Sequence, residues 1–227
     1  EFISTVSHEL RTPLTAIRSL AEILRDFPDT PSDRQQEFAG IIIRETQRLT
    51  RLITQVLDFQ KLESGRTRWQ VVKVDLKDVV EDAVSATRQL VADRHIDMQV
   101  HLPEASRTID GDRDQLIQAL INLISNAAKF CDPVNGRIDI RLDYDADRLT
   151  VSVRDNGIGI SPEHQKQIFD KFQQVVDPSR GRPMGTGLGL SITRQIIEKA
   201  LYHELAGVPV KSRIRLKTSP GCSRMSS

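Results

Sequence analysis

"STVSHELRTPL", residues 4–14, sets a histidine against a glutamate, with a threonine four residues past the histidine and a proline just after it. An imidazole can attack an electrophile or exchange a proton near neutral pH, and an adjacent carboxylate keeps it ready to lose one. His8 and Glu9 form such a pair, and Thr12, one helical turn on, shares the face of His8. Alone the pair means little: a second His-Glu stands in "YHELA" at 202–206. An isolated, exposed His-Glu is ordinarily a solvated helix face.

Three later stretches suit a nucleotide. In "DQLIQALINLISNAAKF", Asn122, Asn126 and Lys129 fall at i, i+4 and i+7 and make one polar stripe, opposite Ile117, Leu120 and Ile124. The amide oxygen of Asn126 can ligate Mg²⁺, which accepts a single protein ligand when phosphates and waters complete its octahedron. Lys129 can neutralise phosphate charge. In "DNGIGI", Asp155 is an acceptor suited to a purine exocyclic amine, and Gly157 and Gly159 let a flat base approach the backbone. In "GTGLGL", residues 185–190, Gly185, Gly187 and Gly189, spaced by Thr186 and Leu188, allow backbone amides to point at one anion at a helix N-terminus. Neither a Walker loop nor the dinucleotide spacing of glycines is present.

The elements that must carry these residues follow from periodicity. Ile3, Leu10, Ile17 and Leu24 recur every seven residues, with Leu14 and Ala21 offset by four, so 1–26 reads as a helix. On it His8 lies about 140° around from Ile3 and about 160° from Leu10, away from the seam. Pro13 lacks a backbone donor, which leaves the carbonyl of Glu9 free and suggests a bend. "FPDTPSD" breaks the pattern, and a second helix is predicted over 33–63, its seam marked by Phe38, Ile42, Leu49, Leu52, Val56 and Phe59. A hairpin of two amphipathic helices buries one stripe against itself. Two copies forming a four-helix bundle bury more, so a homodimer is expected.

After "LESGRTRW" strands alternate with helices: a strand in "WQVVKVDL", a helix over 76–93, strands in "IDMQVHL" and "RTID", a helix over 112–130 and a hairpin from "GRIDIRLDYD" to "DRLTVSVRDNG". A short helix is expected in "SPEHQKQIFDKF", then a Gly- and Pro-rich loop, then a helix from "LGLSITRQIIEKA". The expected fold class is α+β: a helical hairpin, 1–65, followed by an α/β sandwich, 66–227.

Composition narrows the functions. The 227 residues carry a net charge of +1 and only 4% aromatics, which argues against a nucleic-acid partner. Two cysteines, Cys131 and Cys222, have no metal-ligand spacing. No apolar run approaches the ~18 residues of a membrane span. The apolar period is already running at Phe2, so the expectation is the cytoplasmic portion of a longer protein, with membrane contact only through segments upstream.

The order of these motifs along the chain, "SHELRTPL", "NLISNAAKF", "DNGIGI", "IFDKF" and "GTGLGL", resembles the catalytic core of the sensor histidine kinases of two-component signalling over about residues 1–200. The first is similar to that family's phosphoacceptor motif, the second to its asparagine box, the third and fifth to its glycine boxes and the fourth to its phenylalanine box. The resemblance implies a Bergerat-type ATP-binding sandwich that uses ATP and Mg²⁺. It implies that His8 takes the γ-phosphoryl group, Glu9 acts as base, and Thr12 places a water that dephosphorylates the partner, a response regulator receiver domain. It also implies that Asn126 holds the metal, Asn122 supports it, Lys129 offsets phosphate charge and Phe130 packs near the nucleotide. Asp155 would hold the adenine amine, and the turn with Gly187 and Gly189 would cradle phosphates. A mobile lid is implied between the glycine boxes, where Arg180 and Arg182 stand.

The match weakens at the end. "EKALYHELAGVPVKS" replaces an expected paired-glycine turn, and "RIRLKTSPGCSRMSS" looks like a truncated closing hairpin, so atypical packing is expected after about Ala200. Three other readings compete: a degenerate nucleotide-binding scaffold or phosphatase, a conformational ATPase of the gyrase or chaperone kind, and a plain dimerisation module.

Overall fold

The computed structural model describes residues 2–64, 68–145, 148–165, 167–173, 186–205 and 217–218. Two long helices come first, α1 (Phe2–Asp26) and α2 (Ser32–Glu63), packed side by side as a hairpin. The turn between them is closed by backbone bonds from Phe27 N to Ile23 O at 3.0 Å and from Thr30 N to Phe27 O at 3.1 Å. Helix α1 is continuous through Pro13, whose ring is fully buried.

The remainder is a sheet covered by helices. Strands β2 (Asp97–His101), β4 (Arg137–Asp145), β5 (Arg148–Asp155) and β6 (Lys217–Thr218) form a mixed sheet in the order β2-β4-β5-β6. The central pair β4–β5 is antiparallel and the two outer pairings are parallel. A separate antiparallel ribbon joins β1 (Val72–Asp75) to β3 (Thr108–Gly111). Helices α3 (Leu76–Ala92) and α4 (Arg113–Phe130) cover one face of the larger sheet, and α5 (Gly189–Leu205) packs on α4.

Strict alternation makes that sheet one-sided. Ile138, Ile140 and Leu142 on β4 and Leu149, Val151 and Val153 on β5 are buried against Val80, Ala83, Leu120 and Ile124 of the helices. Two aspartates start the covering helices. Asp75 accepts from Lys77 N at 2.9 Å ahead of α3, and Asp112 accepts from Gln115 N at 3.2 Å ahead of α4, satisfying amides that no helical carbonyl reaches.

A second cluster joins the two parts. Leu52, Phe59 and Leu62 of α2 are buried with Ala119 of α4 and Leu188, Ile192 and Ile196 at and within α5, while Leu10 of α1 and Phe172 pack at its margin. The lower half of the stem is thus clamped to the α/β lobe.

Two expectations meet the structure differently. The segment "SPEHQKQIFDKF" does not make a helix: turns about Ser161 lead to a single 3₁₀ turn at Gln167–Phe169, and the chain then reverses through Phe172 at a φ of 61°. Among its described residues only Ile168 is buried, too little apolar surface to hold a helix of that length. Helix α5 in turn runs past Ala200 to Leu205. The lid residues 178–183 lie outside the described residues, as does the closing hairpin apart from β6.

Candidate functional site

The acceptor face comes from α1. The His8 side chain is 76% exposed, with Nδ1 3.9 Å from Glu9 Oε1. Glu9 itself is turned toward α2, where Arg48 Nη2 lies 3.7 Å from its second carboxylate oxygen. Arg48 also meets Glu45 at 3.6 Å, so the guanidinium sits between two carboxylates from different helices. The Thr12 hydroxyl donates back to the His8 carbonyl at 3.4 Å. His8, Arg11, Thr12, Thr15 and Ala16 line a shallow, open concavity on this side of the stem.

The nucleotide elements converge from three directions. Helix α4 buries Leu120, Leu123 and Ile124 and leaves Asn122, Asn126 and Lys129 partly exposed on its other side. Asn122 and Asn126 both face the first residue of α5: the Asn122 amide donates to Gly189 O at 3.4 Å, and a Cβ on Gly189 would lie 3.9 Å from Asn122 Oδ1 and from Asn126 Nδ2. Gly187 holds a φ of +68°, and a Cβ there would come within 2.5 Å of the Phe172 backbone. Phe172 N donates to Gly187 O at 3.1 Å, which fastens the phenylalanine-box turn to the glycine turn. Leu188 anchors that turn by burying itself completely. Gly185 lies outside the described residues.

The third element is the turn after β5. Asp155 accepts from Gly157 N at 2.9 Å. A Cβ on Gly157 would stand 2.1 Å from the Phe130 carbonyl oxygen, so only glycine lets this turn close on the end of α4. Gly159 follows at a φ of +70°. Phe130 is 38% exposed at the same end of α4, with Lys129 Nζ 4.5 Å from its ring centroid.

Electrostatics mark two of these groups. Burial raises the Asp155 carboxyl above its ordinary range, partly offset by the amide of Gly157. Lys129 is lowered to about 8, first by burial and then by the charges of Arg94 and Arg48. Among the described residues no carboxylate pairs with Lys129, and Arg94, bonded to Ala128 O, adds a second cation where α4 ends. Such a site favours an anion.

Sequence reasoning singled out neither Arg48, Gln55 nor Arg94. Arg94 Nη1 donates to Ala128 O at 3.1 Å, satisfying a carbonyl near the end of α4. Gln55 accepts from the Thr186 hydroxyl. A signal for the first two existed: Glu45, Arg48, Leu52, Gln55, Phe59 and Leu62 advance by three and four residues, a stripe that takes in Leu52 and Phe59 of the predicted seam.

A helical hairpin displaying a histidine, joined to an α/β lobe with an asparagine helix and two glycine turns, defines a class. The family model of the "His Kinase A (phospho-acceptor) domain" matches residues 1–65, and that of the "Histidine kinase-, DNA gyrase B-, and HSP90-like ATPase" matches 111–223. Together they take in most of the chain, which belongs to the sensor histidine kinases and carries a phosphoacceptor domain and an ATP-binding domain.

Among particular relatives, the sensor-like histidine kinase ycf26 of Porphyra purpurea is 37% identical over 224 residues, covering 90% of this chain and 34% of its own length. Sensor histidine kinase WalK of Bacillus subtilis is 34% identical over 206 residues, 87% of this chain and 32% of its own. The chain thus spans about a third of the curated relatives it matches. A solved structure of histidine kinase ThkA in complex with response regulator protein TrrA superposes with a TM-score of 0.70 at 27% identity, over 88% of this chain and 55% of that one. Histidine kinase AdeS of Acinetobacter baumannii shares the fold, with a TM-score of 0.66 over 84% of this chain and 86% of its own at 24% identity. Among the described residues, no helix is long and apolar enough to cross a membrane.

Proposed function

We propose that this chain moves the γ-phosphoryl group of ATP onto His8 and from there to an aspartate on the receiver domain of a response regulator, and that it also acts as a phosphatase toward that regulator. One observation carries most of the weight. Helix α4 meets the Gly157 turn at Phe130 and the start of α5 at Asn122 and Asn126, beside a stem that leaves His8 exposed with Glu9 at its Nδ1 side.

The residues divide the work as follows. Asp155 accepts from the adenine amine, and Gly157 and Gly159 leave room for the flat base, with Phe130 at its edge. The amides of the Gly185–Gly189 turn, Thr186 and Leu188 included, and the N-terminus of α5 receive the phosphates. Lys129, partly buried and without a paired carboxylate among the described residues, would gain an anionic partner in the phosphates. Among the described residues no cluster of three acidic, histidine or cysteine side chains could cage a metal. The amide oxygen of Asn126, with Asn122 beside it, would suit Mg²⁺, whose shell phosphates and waters would complete. Bound there, the ion would neutralise charge on the phosphates.

Because Nδ1 faces Glu9, Nε2 is the free nucleophile. Its lone pair forms the N–P bond as the bond from Pγ to the β,γ-bridging oxygen breaks, and ADP leaves. Glu9 takes the Nδ1 proton, so the imidazole stays neutral when phosphorylated. The N–P bond then breaks as a receiver aspartate oxygen takes the phosphoryl group, and the ring regains its proton. The concavity beside His8, with Thr12 on its wall, is where a receiver domain would dock and where a water would be positioned for dephosphorylation. That the ThkA structure includes a response regulator supports this partner.

A homodimer completes the stem. In one chain Leu14, Ile43, Ile53 and Leu57 remain about half exposed, and Ile3 and Phe27 more so. A second hairpin covering them makes a four-helix bundle and gains roughly 25 cal/mol per Å² buried. On this reading 1–65 is the dimerisation and phosphotransfer hairpin, 66–227 the catalytic lobe, and the setting cytoplasmic.

Incubation with γ-labelled ATP and Mg²⁺ tests the reading. An acid-labile, base-stable label on the wild type, absent from His8→Gln and Asn126→Asp, is expected. Release of phosphate with no label on the protein would identify a conformational ATPase instead.

A further inference from the structure

Arg48 stands on α2 between the acceptor face and Leu52, which pins the nucleotide lobe to the stem. Arg48 is two ion-pair contacts away from His8: its Nη2 stands 3.7 Å from Glu9, and Glu9 stands 3.9 Å from His8. One turn further along the same helix Leu52 is buried with Leu188 of the glycine turn, so the nucleotide lobe of the same chain packs next to Arg48 on that face. Leu10, two residues past His8, packs at the margin of the cluster that contains Leu188 of the glycine turn. The acceptor helix and the phosphate turns of one chain are therefore held at one junction, with a half-buried guanidinium across it.

We propose that Arg48 is a positioning residue for phosphoryl transfer: it fixes the Glu9 carboxylate and lends positive charge toward the transferring group at the junction of its own chain, so that each chain phosphorylates its own His8. This rests on the kinase reading above and names the route within it. An arginine suits the place better than a lysine would. Its planar fork can hold the carboxylates of Glu9 and Glu45 at once, and it stays charged when partly dehydrated. Glu45, from the turn of α2 before it, takes one side of the fork and leaves the Nη2 side for Glu9.

The test uses dimers assembled from two differently tagged chains. In a heterodimer of wild type with a chain carrying both His8→Gln and Asn126→Asp, the wild-type chain is expected to label at the rate it shows in the wild-type homodimer. In a heterodimer of His8→Gln with Asn126→Asp, no label is expected. Label on the Asn126→Asp chain of that second dimer would overturn transfer within one chain. Arg48→Gln should lower the labelling rate at saturating ATP by roughly tenfold to a hundredfold while ATP affinity stays within about twofold, because misplacing a reacting group costs rate more than binding. Arg48→Lys should recover part of that rate by restoring charge without the fork. Unchanged rates in both variants, or a loss confined to ATP affinity, would overturn the positioning role. A wild-type homodimer that takes up no label at all would refute the kinase reading itself, which keeps the two failures apart.

Discussion

The Thr186 hydroxyl donates to Gln55 Oε1, which ties the glycine-rich turn of the nucleotide lobe directly to the acceptor stem. The same hydroxyl oxygen accepts from Leu188 N at 3.3 Å at the start of α5. Lys171 Nζ to Glu63 at 2.6 Å and Gln118 to Asp58 at 3.2 Å reinforce the junction at its lower end. A neutral hydrogen bond of this kind contributes about 0.5–1.5 kcal/mol. Gln55→Ala is therefore expected to speed amide exchange at 188–192 by about two- to tenfold without altering global unfolding, as hydrogen-exchange mass spectrometry would record.

Lys129 gives a pH signature. Its basicity is lowered in the folded chain to about 8 from an ordinary 10.5, so the charged lysine costs stability. The cost is complete below about pH 8 and fades as pH rises toward 10.5, where the unfolded chain also loses the proton. Lys129→Met should then melt higher than wild type at pH 7, with the advantage vanishing between about pH 8 and 10.5. Phosphates beside Lys129 would restore its basicity, so ATP binding at pH 8 should take up a proton. Calorimetry in two buffers of different ionisation enthalpy measures that uptake, and Lys129→Met should abolish it.

On the proposed reading Asp155 trades stability for recognition. Burial raises its carboxyl above the ordinary range, so ionising it at neutral pH costs the fold. The sign is that of a raised acid: the cost is absent below the unfolded-state value, grows as pH rises above it and is complete above the folded-state value. Asp155→Asn should hold or raise the melting temperature at pH 7, yet weaken ATP binding at least tenfold by removing the acceptor for the adenine amine. Paired thermal melts and nucleotide titrations check both halves.

The two glycine turns should tolerate no side chain. Gly157→Ala drives a methyl into the Phe130 carbonyl, and Gly187→Ala adds a positive φ to a clash with the Phe172 backbone. Each is expected to cost about 1–3 kcal/mol in denaturant unfolding. Gly189→Ala, whose methyl would meet only ordinary contacts near 3.9 Å, should be far milder.

What was legible in the sequence was whatever periodicity carries over many residues. The seven-residue repeat from Ile3 to Leu24 placed α1, and the alternation from Ile138 to Val153 placed the β4–β5 hairpin. The Asn122–Asn126 stripe was readable because both faces of one helix are set by a single period. The segment at 161–172 misled because Pro162 and Ser161 make a sound helix start while tertiary contacts decide whether so short a segment continues. Arg48 and Gln55 were missed for a different reason. Their importance lies in what sits across from them, and α1 and the Thr186 turn reach them over 39 and 131 residues of chain respectively.

The most direct measurement is to locate the phosphoryl group itself. After reaction with ATP, peptides prepared at alkaline pH and sequenced by mass spectrometry should carry one phosphate, on the imidazole of His8. A phosphate found instead on another residue, or a chain that consumes ATP while its His8 peptide stays unmodified, would contradict transfer from the asparagine–glycine cleft to the stem.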